Sequence, residues 1–537
     1  MSVDDKPDYK SLFSNFEEVE VAVECNVKGT IPSYLNGGTL LRNGPGLFTI
    51  GDTCYRHWFD GLSYIQRYAF IDGIMTYQAK LLKSNTYLKN KAANRIVVSE
   101  FGTSAFSDPC KNMFRKFFNL FTPEPMTDNC LVNFLKAGDK VYATTETPML
   151  REIDVHSIET KELVDLTKVI ALHSNTAHHH YDKAGNIYNI GSSFGKDSFF
   201  VFTKTQNPSH NDDTLFNNGL NSIEVIGKVA IKDKLKPAYY HSFGMTENYM
   251  ILIESPLRLG VMAILGKRIT GKSYRDTFEW LPSTINKIHV MDKRNGKVLD
   301  LSIETSEAFF TFHHANAYEK DSYIVVDYCS MDEPGTLDNF QLDLMREGNV
   351  TEVGDGFRSF LHRMIIPTQI SPEAKAGDDL LKYYPDKSHR CRATLSVDGK
   401  VIIRPQLKCE LPFEFPQFNY DYCGQFYKYV YGSVLQKNEL NKDGIVKVNL
   451  VDGSFISWKK DKESFITTEP IFVKNPVGKD EDDGCLVVPI ITNLSIGDKC
   501  FVLILDARNL EELARCYVPM QLPMGFHAMF VGKEFGK

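Results

Sequence analysis

Four histidines lie far apart in the chain, each among aromatic or small residues. They are His178 in NTAHHHYD, His241 in AYYHSFGMTENY, His313 in FFTFHHANAYE and His527 in PMGFHAMF. Such surroundings indicate burial, and a buried imidazole must satisfy both of its ring nitrogens. A group of neutral imidazoles suits Fe, Cu, Zn or Ni, so these residues are candidates for a metal site. None of them lies in an HExxH or CxxC spacing, so spacing alone does not join them.

The elements that must position these histidines are predicted to be short strands. KVYATTET, NIYNIGSSF, YMILIES, YIVVDYCS and FVLILDA are β-rich runs of strand length. Asn295-Gly296, Asp398-Gly399 and Asp452-Gly453 supply the positive φ that a two-residue hairpin turn needs. Many antiparallel strands with long insertions favour an all-β propeller over a sandwich. The number of blades cannot be counted, because the sequence has no WD or kelch period.

Composition predicts a large enzyme with its own core. The 537 residues are 43% hydrophobic, and a net charge of −7 gives no basic footprint for nucleic acid. The start, MSVDDKPDYK, has no apolar region of a secretory signal, and 11 irregularly spaced cysteines are typical of reduced thiols. No run of eighteen apolar residues occurs. We therefore expect a cytoplasmic protein without a membrane span.

Two segments interrupt the strand pattern. Residues 111–121, KNMFRKFFNLF, interleave basic residues with Phe, and residues 256–269, PLRLGVMAILGKRI, form an apolar run flanked by basic residues. Either segment could lie in a membrane interface, with apolar side chains in the acyl boundary and cations at the headgroups. The alternative is an amphipathic helix that packs on the protein body.

Long motifs distributed along the chain identify a resemblance. They are LLRNGPG from Leu40, HWFDG from His57, RIVVSEFGT from Arg95, SDPCKN from Ser107, TETP from Thr145, EFPQFNY from Glu414, EPIFV from Glu469 and EDDG from Glu481. In this order they resemble the animal carotenoid cleavage oxygenases, a family that includes the retinoid isomerase of the retinal pigment epithelium. The resemblance covers the chain from about Asn26. It implies one domain at residues 26–537 after an extension at residues 1–25, folded as a seven-bladed β-propeller with a helical or loop cap over the iron-bearing face.

The resemblance also implies the metal and its ligands. Family positions fall on the four histidines above, which would bind Fe(II). Three glutamates, Glu146, Glu414 and Glu469, would accept the remote N–H of His241, His313 and His527 respectively, leaving His178 without a carboxylate. The family usually has His-Pro-His where this chain has HHH at 178–180. Loss of the proline loosens the backbone and offers a rival donor, but the preceding TA and the following YD favour His178.

Further residues are assigned by resemblance alone. Thr145 would crowd an open coordination position, and Phe101 would line the substrate tunnel. Cys110 resembles a cysteine that is acylated in the retinoid isomerase, although relatives not known for acylation share the SDPCKN motif. The residues expected to contact a peripheral membrane surface are Phe114, Phe117, Phe118, Leu120 and Phe121.

The implied reaction is the splitting of one carotenoid double bond by O2 into two carbonyl products. TETPML and SEAFFTFHH resemble the insect-type isomerooxygenase, which cleaves the central 15,15' bond and isomerises one half, whereas LPMGFH resembles the vertebrate relative that cleaves eccentrically at 9',10'. Two alternatives stay open. A retinyl-ester isomerohydrolase would use iron without O2, and a carotenoid-binding protein would have no turnover.

Overall fold

β-Strands make up most of the computed structural model, which describes residues 9–107, 126–207, 219–349, 358–435, 443–462, 465–492 and 497–533. In chain order the strands are β1 Val19–Gly29, β2 Thr39–Arg42, β3 Pro45–Leu47, β4 Thr49–Ile50, β5 Thr53–Cys54, β6 Leu62–Ile71, β7 Ile74–Leu81, β8 Asn133–Ala137, β9 Lys140–Thr144, β10 Met149–Ile153, β11 Thr160–Asp165, β12 Ser174–Asn175, β13 His180–Tyr181, β14 Ile187–Ser193, β15 Phe199–Thr205, β16 Ile223–Ala230, β17 Gly244–Met245, β18 Tyr249–Glu254, β19 Leu257–Leu259, β20 Phe278–Trp280, β21 Lys287–Asp292, β22 Ile303–Thr305, β23 His314–Lys320, β24 Tyr323–Ser330, β25 Phe360–Pro367, β26 Arg392–Leu395, β27 Val401–Arg404, β28 Gln406–Leu407, β29 Glu414–Gln417, β30 Tyr429–Ser433, β31 Asp443–Asn449, β32 Phe455–Lys459, β33 Ile466–Thr467, β34 Ile471–Lys474, β35 Gly484–Ile491, β36 Phe501–Asp506, β37 Glu512–Tyr517 and β38 Ala528–Val531.

Helices are short and lie between the strands. The α-helical segments are Asn85–Ala93, Val261–Thr270, Thr336–Asn339 and Leu342–Leu344, the last continuing into a π-helical turn at Met345–Asn349. Single 3-10 turns occur at Tyr9–Phe13, Ser33–Leu35, Trp58–Asp60, Leu166–Lys168, Gly219–Ser222, Arg275–Thr277 and Tyr420–Tyr422. These segments do not establish a cap, and the helical cap stays a prediction.

Five sheets of four to six strands form separate blades among the described strands. Their strand orders are β11-β10-β9-β8, then β12-β14-β15-β16 with β13 on β14, then β17-β18-β21-β22-β27-β26, then β23-β24-β25-β28, and finally β29-β30-β31-β32. Most pairs are antiparallel hairpins, while β22 and β27 run parallel. Inner strands such as β24 are buried along their whole length, because β24 pairs with β23 and β25 and its side chains belong to a buried core that also contains residues of β18, β21 and β30. The fold is therefore an all-β propeller.

The first and last strands of the chain join in one sheet of 11 strands. Its order is β33-β35-β36-β37-β1-β7-β6-β2-β38, with β34 on β35 and β3 on β6. The long strand β1 causes the fusion, since its residues 19–25 pair with β7 and its residues 26–29 pair with β37. The expectation of a seven-bladed propeller is wrong for this reason: five described blades are separate, 11 of the remaining described strands form one continuous sheet, and β4-β5 and β19-β20 form two small sheets of two strands each.

The N-terminal residues that the structure describes belong to this packing. Leu12 and Phe13 are buried, and strand β1 spans the predicted boundary between residues 25 and 26. The division into an extension and one domain itself stays a prediction.

The predicted hairpin turns occur, but they are longer than two residues. Gly296, Gly399 and Gly453 have φ of +71°, +80° and +77°, whereas the preceding Asn or Asp does not have positive φ. A turn followed by one left-handed glycine is the usual form of three- to five-residue hairpin loops. The ten cysteines in the described ranges are free thiols, and no helix there is long and apolar enough to cross a membrane.

Candidate metal centre

The four histidines singled out in the sequence each lie just before a strand at the edge of a sheet. His241 precedes β17, His313 directly precedes β23, and His527 directly precedes β38. His178 lies two residues before the short strand β13. These strands are sheet edges, and four edges that meet at one point bring residues from distant parts of the chain together. The propeller thus explains how histidines up to 349 positions apart share one site.

Their ring nitrogens converge. One nitrogen from each of the four rings lies within 4.8 Å of the others. The Nε2 atoms of His178 and His241 are 2.9 Å apart, and those of His313 and His527 are 3.3 Å apart. His241, His313 and His527 are buried, and His178 is partly buried.

A carboxylate holds the other ring nitrogen of three histidines. The Nδ1 atoms of His241 and His313 lie 2.6 Å from carboxylate oxygens of Glu146 and Glu414, respectively. The Nδ1 atom of His527 lies 3.0 Å from Glu469 Oε1. Each carboxylate accepts the Nδ1–H, so the Nε2 atom of that ring carries a lone pair and no proton.

This arrangement fits a cation. The Nε2 atoms of His313 and His527 cannot share a hydrogen bond, because both protons lie on Nδ1, and two lone pairs 3.3 Å apart repel each other. Metal–imidazole bonds of about 2.1 Å at right angles would separate two nitrogens by about 3.0 Å, close to the observed spacing. The donor set of four imidazoles is suited to Fe, Cu, Zn or Ni.

Burial favours the neutral form of two of the imidazoles, those of His178 and His313, and the neutral form is the one that binds a metal. Burial, followed by the neighbouring imidazoles of His527, His241 and His313, holds the pKa of His178 well below 6.5. Burial also lowers the pKa of His313, although the Glu414 carboxylate opposes this effect. Burial alone would raise the pKa of Glu414, but the hydrogen-bonded His313 imidazole brings it below its ordinary value.

Residues that the sequence reasoning missed complete the carboxylate sites. Tyr239 donates its O–H to Glu146 Oε1 at 2.7 Å, Ser359 Oγ donates to Glu414 Oε1 at 3.0 Å, and Gln417 Nε2 donates to Glu469 Oε1 at 2.9 Å. Tyr239 and Gln417 had a usable signal, since each lies a few residues from a ligand or a site glutamate in an extended segment. Ser359 had none.

The two neighbours of His178 point elsewhere. His179 Nε2 is 3.0 Å from Tyr181 Oη, and His180 Nε2 is 3.0 Å from the backbone oxygen of Phe243. The HHH run therefore places one imidazole in the converging group, and the rival donors are engaged in other hydrogen bonds.

An aromatic wall extends from the centre to Phe101. It consists of rings in mutual contact: Phe312 lies 5.1 Å from His241, Phe310 4.7 Å from Phe312, Tyr239 6.3 Å from Phe310, Phe278 5.4 Å from Tyr239, and Phe101 5.4 Å from Phe278. Thr145, next to Glu146, is buried. An apolar surface of this kind suits an extended apolar ligand.

The predicted membrane and acylation residues fall in a part of the chain that the structure leaves undescribed. Cys110, Phe114, Phe117, Phe118, Leu120 and Phe121 all lie between residues 108 and 125. The second apolar segment is described. Its first part forms strand β19, and the rest lies in helix Val261–Thr270, on which Met262 and Leu265 are 64% and 72% exposed. Leu235, whose backbone oxygen accepts from Val261 N at 3.0 Å, is 57% exposed.

Comparison with known proteins identifies the family. The family model described as retinal pigment epithelial membrane protein, RPE65, matches residues 12–532. The chain therefore belongs to this family. A human relative named carotenoid-cleaving dioxygenase, mitochondrial, is 37% identical over 534 residues, which cover 97% of this chain and 90% of the relative. The mouse β,β-carotene 15,15'-dioxygenase is 36% identical, covering 96% of this chain and 90% of its own length.

A solved structure supports the fold. A variant of the Synechocystis apocarotenoid oxygenase superposes with a TM-score of 0.75, covering 98% of each chain at 20% sequence identity. At this identity the likeness establishes the propeller architecture and no more.

Proposed function

We propose that the protein is a non-haem Fe(II) dioxygenase that cleaves one double bond of a carotenoid to two carbonyl products. One observation carries the proposal: four imidazoles, three of them held by carboxylates, converge at the inner end of an aromatic wall. The relatives support it, because two of them are named for the cleavage of carotenoids by O2.

The ligands of the iron are proposed to be His178, His241, His313 and His527. Fe(II) held there would supply the activation of O2. The protein contributes the rest of the site: Glu146, Glu414 and Glu469 keep the Nδ1 protons in place, which fixes the ring orientations and raises the basicity of the ligands. No side chain has to donate or accept a proton from the substrate in this reaction.

The aromatic wall would bind the polyene and exclude water. Phe101, Phe278 and Tyr239 form a continuous apolar surface that leads to His241. Burial of a long hydrocarbon there is favourable by about 25 cal/mol per Å2 of apolar surface. The buried Thr145 would limit the space beside the metal. Together these residues would hold one double bond at the centre.

The cleaved bond is proposed to be the central 15,15' bond, with isomerisation of one half. This choice rests on the TETPML and SEAFFTFHH motifs. The two relatives named above are 37% and 36% identical, so overall identity does not separate them.

The test is product analysis of Fe(II)-loaded protein with β-carotene and zeaxanthin, under air and under nitrogen. Central cleavage predicts retinal or its hydroxylated counterpart as the cleavage products, formed in air alone, with one cis product. Longer apocarotenals would establish eccentric cleavage. Absence of cleavage in air, combined with 11-cis-retinol from retinyl ester under nitrogen, would replace the proposal with the isomerohydrolase.

Contact with a membrane surface is proposed for delivery of the apolar substrate. Met262, Leu265 and Leu235 are exposed apolar side chains, and Leu235 is flanked by Lys234 and Lys236, which form exposed ion pairs with Asp197 and Glu279. Such apolar side chains can enter the acyl boundary while the lysines meet anionic headgroups. The proposed location is the cytoplasm, with peripheral membrane association.

A further inference from the structure

Arg42, the last residue of strand β2 in the LLRNGPG motif, is a buried cation. Its side chain is 1% exposed and forms no ion pair with a carboxylate in the part of the chain that the structure describes. The guanidinium donates instead to two backbone oxygens, from Nη1 to Pro523 at 3.4 Å and from Nη2 to Gly525 at 3.3 Å. Burial of a charge costs several kcal/mol unless its environment compensates, so this placement calls for a structural explanation.

The segment that Arg42 binds leads directly to His527. In the β2–β38 pairing, Arg42 lies opposite Ala528, the residue after His527. The next residue, Asn43, extends this pairing: its backbone N–H donates to His527 O at 3.0 Å, and its backbone oxygen accepts from Phe526 N at 2.8 Å. Two consecutive residues of the motif thus fix the backbone on both sides of His527.

The Asn43 side chain links this backbone to the neighbouring sheet. Its Nδ2 donates to the backbone oxygens of Cys130 and Asn133, at 2.9 and 3.1 Å. Its Oδ1 accepts from Gly44 N and Ser63 Oγ, both at 2.9 Å. All four hydrogen-bonding positions of the amide are used. His527 N donates to Val132 O in the same segment, at 3.3 Å.

Two glycines allow this close approach. A Cβ atom on Gly525 would lie 2.7 Å from Asn43 O and 3.0 Å from Arg42 Nε. A Cβ atom on Gly44 would lie 2.4 Å from Gly525 Cα. Side chains at either position would push the Pro523–His527 segment away from the guanidinium.

We propose that Arg42 and Asn43 are positioning residues of the metal centre, which hold the Pro523–His527 segment so that the His527 imidazole faces the other three. This inference rests on the proposed function only in that the four histidines bind a metal. The positive charge of Arg42 also interacts favourably with the negative charge of the Glu469 carboxylate. Burial lowers the pKa of Arg42, but Tyr68 and Glu469, the carboxylate that holds His527, both raise it.

The test compares Arg42→Lys and Gly525→Ala with a matched control, Arg363→Lys. Arg363 is likewise buried, but it forms a bidentate ion pair with Asp327 in another blade. The probe is Co(II), whose visible d–d absorption reports ligand geometry. We expect Co(II) to bind about 10- to 100-fold more weakly to the two test variants, with an altered spectrum, and to bind with the wild-type Kd and spectrum to the control.

Two results would overturn the positioning role. One is wild-type Co(II) affinity and spectrum in folded Arg42→Lys or Gly525→Ala protein. The other is that Arg363→Lys, at the same loss of thermal stability, weakens Co(II) binding as much as the two test variants do. Absence of Co(II) binding by the wild-type protein would instead overturn the metal site itself, so the two failures are distinguishable.

A second measurement needs no variant. The amides of Asn43 and Phe526 should exchange with deuterium in the metal-free protein as slowly as those of Val488 and Leu503, which pair in the buried strands β35 and β36. Fast exchange that becomes slow only when metal is added would mean that the metal orders the segment, and it would overturn the proposal.

Discussion

The three histidine–carboxylate pairs are not equivalent. The side chains of Glu414 and Glu469 are 6% exposed, whereas that of Glu146 is 35% exposed and also accepts from Tyr239. Two pairs are therefore closed to solvent, and the third faces the aromatic wall. We infer that the closed pairs mainly fix ligand geometry, while the pair of Glu146 and His241 lies where a bound polyene would pass.

Replacement of Glu469 by Gln tests the contribution of a closed pair. The amide would present an N–H where the carboxylate now accepts from His527 Nδ1 and Ala528 N. We expect iron retention during a chelator challenge to fall about 10- to 100-fold. Glu254→Gln is the control, because Glu254 pairs with His289 away from the centre. Equal iron loss in both variants, or none in Glu469→Gln, would refute the role of Glu469.

His57, in the HWFDG motif, gives the fold a pH dependence. Burial lowers its pKa from 6.5 to about 4, although its hydrogen bond to Leu337 O opposes the shift. Between pH 6.5 and 4, His57 is protonated in the unfolded chain but not in the folded protein. The contribution of His57 to the free energy of unfolding is therefore fully present above pH 6.5 and is lost as the pH falls towards 4. We expect the free energy of unfolding of metal-free protein to drop by about 1 kcal/mol from this group between pH 7.5 and 5.5.

The measurement is urea unfolding of His57→Gln at pH 7.5 and 5.5. The control is His156→Gln, since His156 is exposed. The His57 variant should lose less stability on acidification than the wild type, and the His156 variant should match the wild type. An unchanged pH dependence in His57→Gln would contradict the assignment.

Among the elements, edge strands position the candidate metal centre, and one surface helix presents exposed apolar side chains. The four converging histidines precede the edge strands β13, β17, β23 and β38, so the geometry of the candidate metal centre depends on how these sheet edges meet. Helix Val261–Thr270 presents Met262 and Leu265 outward instead of packing them. The sequence left open an amphipathic helix that packs on the protein body. The exposure of these two side chains favours membrane contact instead.

Liposome co-sedimentation tests this helix. Met262→Ser with Leu265→Ser should reduce binding to anionic vesicles by several-fold, because two exposed apolar side chains no longer enter the acyl boundary. The control is Ile71→Ser with Ile74→Ser, which removes two exposed apolar side chains from the β6–β7 hairpin. Phe117→Ser with Phe118→Ser tests the other predicted segment. Undiminished binding in the helix variant would contradict membrane contact there.

In the molecule as a whole, the sequence predicted local features such as hairpin turns, but it did not predict how the first and last strands join in one sheet. Gly296, Gly399 and Gly453 mark hairpins because a positive φ is a property of the residue itself. The fused sheet depends on β1 pairing with β37, almost 500 positions away, which no local pattern encodes. The ligand set and its glutamates were predicted by resemblance, whereas the hydrogen bond from Tyr239 to Glu146, 93 positions away, was not part of that resemblance, and the only signal for it was the position of Tyr239 two residues before His241.

The most direct test of the proposed dioxygenase is the ratio of O2 consumed to carotenoid cleaved by Fe(II)-loaded protein, measured with an oxygen electrode and chromatography on the same sample. The proposed dioxygenase is expected to consume one O2 per carotenoid and to form two carbonyl products, with neither consumption nor cleavage in His241→Ala, which removes one of the proposed ligands. Cleavage without O2 uptake, or full turnover by His241→Ala, would contradict it.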